Sequence, residues 1–322
     1  MAKRSTSFWL GIVICLFTTS NVRSQTLSGF DFLRLEPSAE AAAFGGTLLD
    51  ATSSQSSAIL YNPALLNRKA GGSLSVSWLN HLSDLQSGTV TYAHDLGGLG
   101  MAGVGVRFFH WGKIDQADAN GERIGTLASS NVALSAGLSR PWHSRFRYGA
   151  SLHLAYTSIG EFNAVAVAMD AGLVYHVPDQ GLTASIGATN VGRSLSSLGQ
   201  SRDAMPLDLR MAVSKRLRYI PVLVGLTVYN LQHIHEITTV NEGFRHAIFS
   251  LEFQAIPAFD LRLGYNHRKR NLKSDRRLDM AGTTVGFGLQ IRRFELDYSF
   301  SSWSFAGLHQ FTVTTRFNKR NQ

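Results

Sequence analysis

The chain has 322 residues, 44% of them hydrophobic, 10% aromatic and only 16% charged, with 30 glycines and 7 prolines. An average soluble domain carries about 25% charged residues. That length and apolar content exclude a disordered chain and a mini-protein held by disulfide or metal staples, and no apolar run reaches the roughly 18 residues of a membrane helix.

The chain opens with Lys3 and Arg4, continues through an apolar stretch from Phe8 to Phe17, and reaches a small residue at Ser24. This is the layout of a secretory signal peptide over 1–24, with cleavage expected before Gln25. The stretch is too short to anchor the chain in a bilayer. Cys15, the one cysteine, lies inside it and follows Ile14 rather than a small residue. Export therefore leaves no disulfide, thiol nucleophile or thiolate metal site, and lipidation is not expected. Without Lys3, Arg4 and Arg23 the 31 cations fall to 28 against 22 acids, a dispersed +6. Nucleic acid is not an expected partner of such an exported chain.

Residues 25–72 differ in character from the rest of the chain. They are rich in Ala and Ser, hold Pro37 and Pro63, and contain AEAAAFGG, a helical turn or two stopped at Gly45 and Gly46. From Ser73 onward the apolar period is two. In SLSVSWLN, Leu74, Val76 and Trp78 face one way while Ser73, Ser75 and Ser77 face the other. Fourteen such runs begin near residues 73, 88, 98, 130, 146, 164, 182, 207, 222, 247, 259, 280, 294 and 309. An even count returns both chain ends to one side of a membrane barrel. Tight connections such as Gly97-Gly98 and Arg292-Arg293 alternate with longer ones over 112–129, 192–206, 231–246 and 267–279. Outer-membrane barrels are built this way. Trp78, Trp111, Tyr156, Tyr229 and Tyr265 near the long loops, and Trp142, Tyr148, Tyr175 and Tyr219 near the short turns, match two interfacial girdles. The expected fold is all-β: a 14-stranded antiparallel transmembrane β-barrel over 73–322 with a small, partly helical N-terminal plug over 25–72.

Chemistry is sparse. Gly98, Gly100 and Gly103 spell G-x-G-x-x-G, but VGVRFFHW after them reads as strand, where a dinucleotide site needs a helix. His233, His235 and Glu236 lie in a loop, and Thr239 stands where a zinc protease has its second histidine. No G-x-S-x-G elbow occurs. Pairs such as Ser151 and His153 arise by chance on strands. The chain is expected to be non-enzymatic, with no catalytic, cofactor-binding or metal residues. Asp170, Asp208, Arg210, Asp260, Arg262, Glu295 and Asp297 fall on the polar faces of their runs and should point into the lumen. Charge on the lipid face costs about 2–4 kcal/mol at mid-membrane for Arg or Lys. An internal ion-pair network is the favoured reading of these charges and a selectivity lining the other. Arg268, Lys269, Arg270, Lys273, Arg276 and Arg277 crowd one long loop and form the candidate surface for docking an acidic partner or lipopolysaccharide phosphates.

FDFLRLEPSA (Phe30 to Ala39), followed by AAAFGG (Ala41 to Gly46), resembles the opening of the PorV/PorQ family of the type IX secretion system. Tyr61-Asn62-Pro63-Ala64-Leu65-Leu66 is similar to the Asn-Pro-Ala plug element of the wider FadL-type barrels. VTYAHDL (Val90 to Leu96), FRHAIFSLEF (Phe244 to Phe253) and LRLGYNHRKR (Leu261 to Arg270) look specifically like the PorQ branch. The resemblance spans nearly the whole chain beyond the leader. It implies a plugged fourteen-stranded barrel in the outer membrane, without catalytic residues. The implied partners are PorZ directly, with the sortase PorU and the shuttle PorV, in a complex that attaches secreted proteins to anionic lipopolysaccharide. The alternative is a FadL-like channel for hydrophobic compounds. The polar and basic character of the long loops favours docking over channel.

Overall fold

A computed structural model of the protein describes residues 28–49, 53–80, 85–117, 122–199, 203–270, 280–303 and 306–317. The expected signal peptide and its cleavage site lie outside the described residues. Fourteen strands form a closed antiparallel barrel. They are β1 (Ser73–Asn80), β2 (Gln86–Asp95), β3 (Met101–Ala117), β4 (Arg123–Pro141), β5 (Phe146–Ile159), β6 (Phe162–Val177), β7 (Leu182–Ser194), β8 (Asp208–Arg216), β9 (Val222–Val228), β10 (Ala247–Ile256), β11 (Phe259–Asn266), β12 (Thr283–Ile291), β13 (Phe294–Trp303) and β14 (Ala306–Arg316). Each strand pairs with its neighbours in sequence. β1 closes on β14 from Ser73↔Arg316 to Asn80↔His309, which closes the sheet on itself. No described helix is long and apolar enough to cross a membrane.

The alternation read from the sequence is the inside–outside alternation of the wall. On β5, Leu152, Leu154 and Tyr156 are exposed on the outer face, whereas Ser151, His153, Ala155 and Thr157 point inward and are buried. The outer face suits a hydrocarbon solvent. The inward face is lined with small residues, Ser75 and Ser77 opposite Thr314 and Thr312 among them, because the lumen is occupied. The occupant is the segment ahead of β1. It holds helix α1 (Ala39–Ala43) and several 3-10 turns, and its Phe30, Phe44, Ile59 and Leu66 are fully buried. Ser38 caps α1 by accepting from the Ala41 backbone N–H, and the helix stops where Gly45 (φ +87) and Gly46 (φ +103) turn left-handed. The core of the molecule is thus plug against wall, and it is largely polar.

Two departures from expectation have plain causes. β4 begins at Arg123 rather than near 130, because β3 and β4 continue past the lip as a ribbon with Ile114↔Leu127 and Asp115↔Thr126 paired. The predicted loop over 112–129 is therefore mostly a hairpin, whose polar sequence lacks an apolar face to betray it. Tyr229 is not an interfacial aromatic. β9 stops at Val228, the chain leaves the wall, and Tyr229 turns inward to donate to Asn266 Oδ1 at 2.9 Å.

Candidate functional site: the plug, the vestibule above it and a seam in the wall

Asn62, Pro63 and Ala64 form a close contact between plug and barrel. Asn62 Oδ1 accepts from the Ala64 backbone N–H at 3.0 Å, capping the 3-10 turn Pro63–Leu65 with proline at its start. The wall makes room with glycine. A β-carbon on Gly172 would lie 2.0 Å from Asn62 Oδ1, and one on Gly149 would lie 2.6 Å from the Pro63 carbonyl carbon. The motif is a docking foot, positioned by β5 and β6.

A second attachment is electrostatic. Arg262 on β11 is buried and donates to Asp297 Oδ1 at 2.5 Å, Glu252 Oε2 at 3.1 Å and Asp260 Oδ2 at 3.3 Å. The plug enters the same network: Gln55 Nε2 donates to Asp297 Oδ2 at 2.7 Å and Ser54 Oγ to Glu295 Oε2 at 2.9 Å. Glu295 also receives Arg316 at 3.0 Å. The lumen charges do form the expected ion-pair network, and it grips the plug as well as the wall.

At the long-loop end the plug floors a vestibule of about 380 Å³, bordered by Asp31, Arg34, Glu36, Asp208, Arg210, Arg268 and Lys269. Lys269 Nζ donates to Glu36 Oε1 at 2.7 Å, and Arg210 pairs with Asp208 while lying 4.4 Å from the Tyr61 ring centroid. Arg268 and Lys269, two of the six residues of the candidate docking loop, thus border the vestibule, in or next to the short helix α3 (His267–Arg270). Lys273, Arg276 and Arg277 lie outside the described residues, as does the Arg270 side chain. The neighbouring loop carries α2 (Val240–Phe244), and Asn241 Oδ1 accepts from His267 at 3.1 Å, so the two long loops touch. His233 and Glu236 meet each other at 3.0 Å in that loop, and the described residues hold no group of three or more potential metal ligands.

No motif in the sequence points to a seam between β7 and β8. At Asn190 (φ +58) the β6–β7 register slips, so that Thr189 and Asn190 together face Asp170. This is a β-bulge, and Asn tolerates the left-handed backbone it requires. Beyond the pair Thr189↔Asp208 the ladder between β7 and β8 ends, although β7 runs on to Ser194. One side chain of β7 spans the gap, while Gln232, from the turn after β9, holds the start of β8 from its other side. Asn190 Nδ2 donates to the Pro206 carbonyl at 3.2 Å, Gln232 Nε2 to the Leu207 carbonyl at 2.7 Å, and Gln232 Oε1 accepts from the Leu209 N–H at 3.0 Å. Arg34 of the plug donates to the Leu207 carbonyl at 3.1 Å. β9, with seven residues, falls short of the 9–11 that a tilted membrane strand needs. A cleft of about 40 Å³ lined by Tyr61, Thr189, Asn190 and Arg210 approaches the seam from inside. Outside, a groove of about 580 Å³ runs across β6 to β9, lined by Ile186, Met211, Val213 and Leu226 and roofed by Leu231 and Ile234.

One further constellation emerges only from the strand register. Ser135, His153 and Asp170 lie on β4, β5 and β6. His153 Nε2 is 2.9 Å from Asp170 Oδ2, and its Nδ1 is 2.7 Å from Ser135 Oγ. This is the connectivity of a nucleophilic triad. All three residues are buried, Asp170 Oδ1 is taken by the Asn190 N–H at 2.7 Å, and neither Ser135 nor His153 borders the vestibule, the cleft or the groove. Acyl transfer needs room for a carbonyl carbon beside the nucleophile. The trio is instead a polar relay that ties three strands to the bulge at Asn190.

No family model and no curated protein matches the chain. The barrel is similar to the Pseudomonas putida toluene transporter TodX, with a TM-score of 0.54 and 15% identity over 87% of this chain and 97% of TodX. A Pseudomonas aeruginosa FadL homologue gives 0.53 and 9% over 88% and 98%. The monoaromatic hydrocarbon channel CymD gives 0.53 and 10% over 89% and 99%. At these identities the likeness is one of fold: the chain is a plugged fourteen-stranded barrel of the FadL-like type.

Proposed function

We propose that the protein is a non-enzymatic outer-membrane channel, exported by a cleaved signal peptide, that passes small apolar compounds between the vestibule and the membrane. The seam between β7 and β8 carries this reading. A membrane barrel satisfies its backbone by pairing every strand; here the β7–β8 pairing ends early, the Asn190 side chain spans the gap, and an apolar groove lies on the outer face of the paired rungs next to it, at Ile186, Met211 and Val213. Loosening the Asn190 bond opens a lateral route without breaking a ladder. The test is uptake of radiolabelled toluene by cells that lack their own hydrocarbon channels. Expression of the protein is expected to raise uptake, and N190A to raise it further. Uptake equal to that of empty cells, with the barrel assembled, would overturn the reading.

A second reading, a scaffold for the type IX attachment complex, is supported by the PorQ-like sequence blocks and by the charge of the vestibule. Arg34, Arg210, Arg268 and Lys269 border it beside Asp31, Glu36 and Asp208, a charged lining that suits a polar partner surface better than a hydrocarbon. On this reading PorZ and lipopolysaccharide dock at Arg268, Lys269, Arg270, Lys273, Arg276 and Arg277, with PorU and PorV in the same complex. Recovery of PorZ with the tagged barrel from gently solubilised outer membranes, and its loss when these residues are neutralised, is the expected result. A barrel that purifies alone would exclude it.

A further inference from the structure

The opposite, short-turn mouth of the barrel holds a cavity of about 390 Å³ that neither reading uses. It lies between the last turn of the plug and the inward faces of β3 to β6. Arg68 and Lys69 come from the plug, and Arg147, His176 and Ser139 from the wall. Among the described residues no carboxylate borders the cavity; the nearest ion pair, Arg68 with Asp95, is loose at 3.7 Å and solvent-exposed.

Two observations mark it as more than a basic rim. Ser139 is 1% exposed, yet its hydroxyl has no hydrogen-bond partner in the structure. A buried hydroxyl left unsatisfied costs about 1–3 kcal/mol, a penalty that a ligand oxygen would remove. Arg147 is half-buried, and its guanidinium makes only two side-chain bonds, both long: Nη1 to the carbonyls of Ala64 at 3.4 Å and Leu65 at 3.5 Å. The rest of that donor fork is uncommitted among the described residues. Leu66, Met101 and Pro141 supply an apolar side to the same cavity.

We propose that this mouth cavity is a binding site for a small organic anion. A phosphate or carboxylate head would accept from Arg147, Lys69 and Ser139, and an apolar body would rest on Leu66, Met101 and Pro141. The volume lies within the range of small-ligand pockets, roughly 300–1,000 Å³. The inward-facing walls exclude a bilayer lipid, so the ligand comes from the aqueous compartment at the short-turn end. The site stands independently of the channel and scaffold readings.

The experiment is titration calorimetry on the full mature chain in an uncharged detergent, with phenyl phosphate, phenylacetate and inorganic phosphate as separate probes. Phenyl phosphate or phenylacetate is expected to bind at one site and more tightly than inorganic phosphate; the better of the two assigns the head group. Arg147→Gln should weaken binding about tenfold, as expected for a lost charge-assisted bond, and Ser139→Ala severalfold, with the melting temperature unchanged. Should Arg147→Gln fail to assemble, Lys69→Gln on the exposed plug end takes its place, with a severalfold loss expected. Absence of heat with all three probes overturns the proposal. So does unchanged affinity in the assembled variants, or inorganic phosphate binding as tightly as the aryl anions.

Discussion

Gly172 and Gly187 face the same plug side chain at very different distances. A β-carbon at Gly172 would meet Asn62 Oδ1 at 2.0 Å, whereas one at Gly187 would sit an ordinary 3.6 Å from Asn62 Nδ2. Gly172→Ala must therefore push the Asn-Pro-Ala turn off the wall, while Gly187→Ala fits. The expected cost is about 1–3 kcal/mol for the first, the usual range for overpacking, and close to nothing for the second. Thermal unfolding of the two variants in one detergent checks this, and equal midpoints would refute the foot-and-socket contact. Asn62, Pro63 and Ala64 stood out in the sequence through their resemblance to the plug element of FadL-type barrels. Their partners did not, since Gly172 and Gly149 become neighbours of Asn62 and Pro63 only once fourteen strands close. Ser135, His153 and Asp170 were hidden for the same reason: Ser135 and Asp170 stand 35 positions apart in the chain, and register alone joins them through His153.

Strands with one face in lipid and one against the plug betray themselves by alternation, so nearly every strand start was readable to within a few residues. What failed was readable in principle only from pairing. The β3–β4 ribbon beyond the lip is polar in sequence, and without a regular apolar face the period-2 signal vanishes. The bulge at Asn190 carries no compositional mark, because a left-handed asparagine spells like any other. Helix α2 on the long loops, by contrast, obeys local rules. Thr239 accepts from the Glu242 N–H at 3.3 Å, while Glu242 Oε2 accepts from the backbone N–H of Thr238 at 2.9 Å and of Thr239 at 3.1 Å. These donors, the Thr238 backbone first, hold the Glu242 carboxyl down at about 2 from an ordinary 4.5. Because the folded value is depressed, the cap is complete above pH 4.5 and is lost as the pH falls towards 2. A carboxyl-carbon NMR titration should place the Glu242 midpoint near the lower figure, and Thr238→Val, which removes the hydroxyl that donates to Glu242 Oε2 at 2.8 Å, should move it towards the upper one. A parent midpoint at the ordinary value would show the capping box to be unformed in solution.

The whole molecule is inverted relative to a soluble domain, with apolar side chains outward and a charged, hydrogen-bonded interior. Its integrity therefore depends on how the buried charges are shared between wall and plug. Arg262 is the centre of that arrangement: it holds Glu252, Asp260 and Asp297 on the wall, and through Asp297 it holds Gln55 of the plug. Removing one partner of a buried pair costs about 3–5 kcal/mol, because the carboxylates left behind are no longer compensated. The barrel ladder, closed on itself, does not depend on this residue, but the seating of the plug does. Arg262→Gln is therefore expected to give an assembled, heat-modifiable barrel whose plug is displaced. In planar bilayers it should show raised conductance approaching that of a chain lacking residues 25–70, while Arg262→Lys, keeping the charge but losing the fork, should fall between. If Arg262→Gln conducts like the parent while the deletion conducts freely, the plug is held by the Asn62 foot and not by the charge network. If the deletion itself leaves conductance unchanged, residues 25–70 do not seal the lumen.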